Sequence, residues 1–159
     1  MNGIGGWHSV AKFQVGSGID KYIEQLTNLE FTAHDTLGHA IYKGADIVAD
    51  AIRSNIEALP KSVCSEKQKQ GLLDGLGIAR MREDDGTYNV KIGFDGYNSH
   101  ITKKYPKGHP NSMIARAIES GTSFSAKHPF VAPAIRATKD AAEKTMADEI
   151  NKELTKQMG

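Results

Sequence analysis

Cys64 and six histidines are the side chains whose types could do chemistry in this chain. A thiolate is both a nucleophile and a metal ligand, and the neighbouring Lys61, Lys67 and Lys69 carry the charge that lowers a thiol pKa. Nucleophilic catalysis also needs an oxyanion hole or its equivalent, and no such motif accompanies Cys64. A surface or half-buried thiol is therefore the expectation. His34 and His39 sit five apart, about 140° around a helix. The zinc-protease pattern needs a four-residue spacing with a glutamate between the histidines. His100, His109 and His128 fall in loop-rich sequence, where solvent-facing or singly hydrogen-bonded rings are expected. These spacings give no catalytic residue, no metal site and no cofactor site.

A denser signal runs from Ile118 to Ser123 and again from His128 to Ala134. It consists of instructions to the backbone. Gly121 can take a positive φ and stop a preceding element. Pro129 and Pro133 fix φ and lack N–H groups, so both belong in or just before the first turn of a helix. Phe130 between them is a large apolar anchor at the helix entry. Glu119 reads as an acceptor for backbone N–H groups or a basic neighbour near the turn, with a plain surface charge as the alternative. The residue before a proline avoids the α region, so His128 lies outside the helix. Its imidazole either reaches back to the turn at Gly121–Ser123 or is solvated.

Glu119, Gly121, Thr122 and Ser123, followed by His128, Pro129, Phe130, Pro133 and Ala134 ahead of a charged last helix, resemble the minor tail component family of long-tailed bacteriophages. That family includes tail-completion, tail-terminator and head–tail joining proteins. The likeness extends more loosely over about residues 18–158, through a long helix ending at a proline, a β-hairpin, the motif and a final helix. It implies a structural virion protein and not an enzyme: one tail-completion-like domain over residues 18–159, with no cofactor. It implies a homo-oligomeric ring, a hexamer, that ends or completes the tail tube or joins tail to head. Its partners would be further copies of itself, the tail tube protein and neck or connector proteins, with passing contact with DNA. It would reside in the virion, after assembly in the host cytoplasm.

The composition fits one globular domain. The chain has 159 residues, of which 39% are hydrophobic and 25% charged, and a formal net charge of +1. A chain of this size buries about 70% of its unfolded surface, enough for a core without staples. Near-neutral charge argues against a dedicated nucleic-acid or membrane-surface protein. One cysteine allows no intrachain disulfide, which fits a reducing compartment. No apolar run approaches the ~20 residues of a membrane span, and the N-terminus lacks the charged-then-apolar layout of a signal peptide. Residues 1–17 are Gly-rich and aperiodic at their start and read as a flexible arm. Either Trp7 anchors that arm against a neighbouring subunit, or the true initiator is Val10.

The elements that must position the motif follow from periodicity. Leu37, Ile41, Ala45, Val48, Ile52, Ile56 and Leu59 recur at alternating four- and three-residue steps, the signature of one apolar helix stripe. With Ile19, Ile23 and Leu26 before them, they predict helix over about 19–58, ending at Pro60, with a possible kink near 28–32. Such a helix would span about 60 Å, so part of it must bend or lie on something else. Ser65 is placed to cap a short helix through Leu73. Ile78–Arg82, the Asp85-Gly86 turn signal and the alternation of Tyr88, Val90, Ile92 and Phe94 predict a hairpin. Residues 112–119 read as helix, or as a strand on the even spacing of Ile114, Arg116 and Ile118. The last helix is predicted over about 130–157. The fold class is α+β: a small, mainly antiparallel sheet packed against the long N-terminal helix and the C-terminal helix. Two strands alone are marginal, so further strands must come from elsewhere in the chain or from a neighbouring subunit.

Two clusters are candidate partner contacts. Arg80, Arg82 and Lys91 make the second face of the hairpin wet and basic. Tyr97, Lys103, Lys104, Tyr105 and Lys107 form a basic, aromatic-bearing loop within Gly96–His109. It reads as a contact for an acidic surface of the next ring, as a nucleic-acid contact, or as a solvated loop.

Overall fold

The computed structural model of the chain describes residues 8–14, 33–84, 87–99 and 101–158. Its sheet is built on β4 (Thr87–Phe94), whose alternation turns Val90, Ile92 and Phe94 into the core. β1 (His8–Gln14) runs antiparallel along one side of β4, with His8 opposite Phe94 and Gln14 opposite Asn89. On the other side β2 (Leu76–Ile78) and β3 (Arg82–Asp84) pair with β4 end to end, as one interrupted edge. Ile78 opposes Ile92 and Arg82 opposes Asn89, so the edge holds one residue more than β4 between these pairs. An extra residue of this kind makes a bulge and frees a backbone donor. The Met81 N–H donates to the Tyr42 hydroxyl, which supplies a partner.

Tyr42 belongs to α1 (Ala33–Glu57), which lies between the sheet and α4 (Val131–Met158). Residues Leu37, Ala40, Ile41, Ala45, Val48, Ala49, Ile52 and Ile56 of α1 are all buried. They cover about half of the helix circumference, wider than a single apolar stripe, because α1 has a partner on two sides. Asn55 near the end of α1 bonds to Phe130 at the start of α4, and Lys43 further back bonds to Glu149 further on. The two long helices are thus antiparallel. Ala134, Ala142, Met146, Ile150 and Leu154 are the buried stripe of α4. Two short helices complete the described fold: α2 (Glu66–Gly75) and α3 (Asn111–Ser120). Ser65 caps α2 in a reciprocal box with Gln68, each side chain bonding the other's backbone N–H. None of the described helices is long and apolar enough to cross a membrane.

The architecture is α+β, a small antiparallel sheet with the long first helix and the C-terminal helix on a common core. Several local expectations change. Part of the expected N-terminal arm, residues 8–14, is strand β1. The missing third strand therefore comes from this chain, and the shortage of strands no longer argues for a neighbouring subunit. β4 is consequently a central strand. Asn89 and Gly93 are buried along with Val90 and Ile92, and Lys91 is half-buried, so the second face is not the open basic face expected of a two-stranded hairpin. Residues 112–119 are helix, not strand. The first part of the predicted 19–58 helix, Trp7 and the Asp85-Gly86 turn lie outside the described residues.

The contact between α1 and α4 carries a pH signature. Lys43 Nζ donates to Glu149 Oε1 at 2.8 Å, and His39 Nε2 lies 3.5 Å from Glu149 Oε2. The hydrogen bond from Lys43, aided by its charge, holds the Glu149 carboxyl below the usual carboxylate range. Its contribution to stability is fully present above the ordinary Glu pKa of about 4.3. It is lost as pH falls through the lowered native value. Lys43→Met is expected to lower the melting temperature near neutral pH. The gap from wild type should close as the buffer is taken to about pH 2.

Candidate functional site

The first four N–H groups of a helix have no partner within it. At the start of α4 these belong to Phe130, Val131, Ala132 and the residue at Pro133. Glu119 Oε1 accepts from Phe130 N and Val131 N, both at 2.7 Å, and Oε2 accepts from Ala132 N at 3.1 Å. Pro133 has no N–H to satisfy. One carboxylate and one proline therefore account for the whole helix start, and the negative charge sits at the positive end of the helix dipole. α4 itself has no acidic residue in its first turn. The cap comes from α3, whose buried Ile114, Ala115 and Ile118 fix the helix to the core and turn Glu119 toward α4.

The chain between Glu119 and Phe130 closes a clasp. Gly121 ends α3 at φ 78°, and its N–H donates to Ala117 O at 2.9 Å. A Cβ there would lie 2.9 Å from Lys127 N and 3.1 Å from Ser125 O, so glycine is required by space as well as by φ. Thr122 builds the next turn: its Oγ1 accepts from Phe124 N at 3.2 Å and from Ser125 N at 3.1 Å, and its own N–H donates to Ser125 O. His128 returns the chain through its backbone, its N–H donating to Ile118 O at 2.7 Å. Of the two readings of its imidazole, the exposed side chain fits the solvated one. Phe130 is buried, edge-on to Phe94 with ring centroids 6.2 Å apart, and its carbonyl accepts from Asn55 Nδ2 at 3.0 Å. Glu119, Gly121, Thr122, Phe130 and Pro133 are thus brought together in one structure, with His128 and Pro129 exposed on its outer strand. At its tip Phe124 is 98% exposed.

The other candidate contacts fall at two places. Arg80 lines a shallow depression with Asp35, His39 and Tyr42, and Arg82 is exposed on β3. Lys103, Lys104 and Lys107 are exposed on the loop before α3, where Tyr97 is 65% and Ile101 66% exposed. Tyr105 is near both Lys104, whose Nζ is 5.6 Å from the ring centroid, and His109, whose ring is 4.4 Å away. Lys104 and His109 also line a groove of about 910 Å³ with Val63, Met113, Ala117 and Phe124. This loop and the clasp therefore share one surface.

Two anchors escaped the sequence reading. Asn98 and Asn111 are buried and tie the loop down: Asn111 Nδ2 donates to Asp95 O at 2.9 Å, and Asn98 Nδ2 donates to Gln68 O at 3.2 Å. Gly71 on α2 leaves the room, since a Cβ there would overlap the Asn98 amide. The only signal was the run of glycines around residues 71–77. Lys69 was read beside Cys64, yet its Nζ donates to the carbonyls of Glu57 at 3.1 Å and Leu59 at 2.9 Å, closing the end of α1. Cys64 is fully buried, and burial is the main cause that pushes its thiol pKa up. A raised pKa lowers the thiolate fraction on which nucleophilic attack depends. Among the described residues no group of three or more His, Cys, Asp or Glu could hold a metal ion; His100 lies outside them. Compared with protein-family models, curated proteins and solved structures, the chain finds no match.

Glu119→Ala leaves three N–H groups without their acceptor and is expected to cost about 3 kcal/mol. Glu119→Gln keeps an acceptor oxygen and should cost about 1 kcal/mol, both read by urea denaturation. Phe130→Ala is expected to cost about 3–5 kcal/mol by emptying its site against Phe94. An unchanged denaturation midpoint in either alanine variant would contradict the clasp.

Proposed function

We propose that this chain is a structural virion protein that completes or terminates a phage tail tube, or joins tail to head, as a homo-hexameric ring. The observation that carries the reading is Phe124. A phenylalanine 98% exposed to water sits on a turn whose backbone is held by Thr122, Gly121 and Ile118. Large aromatic side chains are the preferred anchors of protein contacts. Here backbone order is spent on presenting one, next to a loop that exposes Tyr97, Ile101 and three lysines. Such a surface suits joining to other proteins.

The sequence resemblance supports the same reading from another direction. The residues that carry it are not scattered over the chain. Glu119, Gly121, Thr122, Phe130 and Pro133 are the parts of one clasp, and each has a physical task in it. Such a clasp is suited to mounting a contact loop, with ring partners, tail tube protein and neck proteins as the objects contacted. The buried thiol with its raised pKa weighs against the alternative of a thiol-dependent enzyme.

Native mass spectrometry and negative-stain microscopy of the purified chain test the proposal. A hexamer with a ring-shaped projection is the expected result. A monomer at every protein concentration would count against a ring, and retardation of duplex DNA that fades with added salt would favour a nucleic-acid role instead.

A further inference from the structure

The groove beside Phe124 has apolar walls and one cation in its lining, Lys104. Val63, Met113, Ala117 and Phe124 form the apolar part, and the volume is about 910 Å³. That is the upper end of the range for ligand-binding clefts, enough for a few side chains of a peptide. The charged and ionisable residues of the lining are Lys104, His109 and His128, with no carboxylate among them. Lys103 and Lys107 stand in the same loop as Lys104, and Lys127 precedes His128. Glu119 is close in sequence, but its carboxylate is engaged by the N–H groups of α4. Tyr105 touches two groups of this rim, with the Lys104 ammonium 5.6 Å and the His109 ring 4.4 Å from its ring centroid.

We infer that this groove binds a short segment of a partner protein that carries an apolar anchor flanked by carboxylates. The anchor fills the space between Phe124 and the exposed side of α3, at Met113 and Ala117. The carboxylates meet Lys104, the one lysine of the lining. Charge complementarity selects this occupant: an apolar floor alone would accept any hydrophobic segment, whereas a rim of one sign rejects a basic one. The inference deepens the joining role and rests on that reading for the source of the segment, a tail or neck protein.

The test is selection of a random-peptide display library on the immobilised full-length chain, followed by calorimetric titration of the enriched peptides. Enriched sequences should combine a large apolar residue with neighbouring Asp or Glu. Their affinity should fall about tenfold or more on Ala117→Glu and on Lys104→Glu, and should weaken with added salt. Phe124→Ser gives a second variant whose substituted side chain is already in water, so it should fold as wild type and still bind about tenfold less tightly. No enrichment, enrichment without acidic residues, or equal binding by the Ala117→Glu and Phe124→Ser variants would overturn the inference. A wild-type ring that Ala117→Glu dissolves would also overturn it, by assigning the groove to a second copy. Acidic-peptide binding by a chain that forms no ring would sustain the groove and defeat the ring.

Discussion

The two long helices of this protein cannot finish themselves. α1 has no basic residue in its last turn and α4 no acidic residue in its first. Free carbonyls at one end and free N–H groups at the other are costly wherever they are withdrawn from water. In both cases a short helix supplies the missing charge. Lys69 of α2 closes the carbonyls at the end of α1, and Glu119 of α3 closes the N–H groups at the start of α4. Each charge has the sign that its helix end requires. The short helices are therefore fixed to the long pair by polar demand, as well as by the apolar contacts of Leu72, Ile114 and Ile118.

This arrangement explains why the candidate surface lies where it does. Because α2 and α3 are drawn to the adjoining ends of α1 and α4, the segments that flank them gather at one place. The Thr122 turn follows α3, the lysine loop precedes it, and Val63 precedes α2. The lysine loop is shaped as a closed loop, its ends bridged at Tyr97 and Pro110 and its base tied by Asn98 and Asn111. Compact loops of this kind hold their shape with their own side chains.

Features governed by near neighbours were legible in the sequence, and features governed by distant ones were not. The Ser65 cap involves Gln68, three residues on. The core face of β4 is written in Val90, Ile92 and Phe94 themselves. Glu119 is legible as an acceptor beside a turn, but its sequence position does not choose among backbone N–H groups, a basic neighbour and solvent; the three N–H groups of α4 make that choice. The partners of Lys69 lie 10 and 12 residues away, and the backbone partners of Asn98 lie 30 and 31 away, beyond three strands. No periodicity encodes such pairings. β1 was missed for a related reason: the template for a strand at the sheet edge is the neighbouring strand, and the Gly-rich flank obscured it. Nor does any pattern reveal that Phe124, unlike Phe94 or Phe130, stands in water.

Between the Thr122 turn and the return of the chain at His128, residues Ser123 to Lys127 are exposed. Nearly all of the cohesion belongs to the residues on either side of them. The stability of the segment is thus written in its flanks, and its tip is left to face water. Substitutions at the tip that keep the Thr122 turn therefore leave the scaffold beneath with its folding energy.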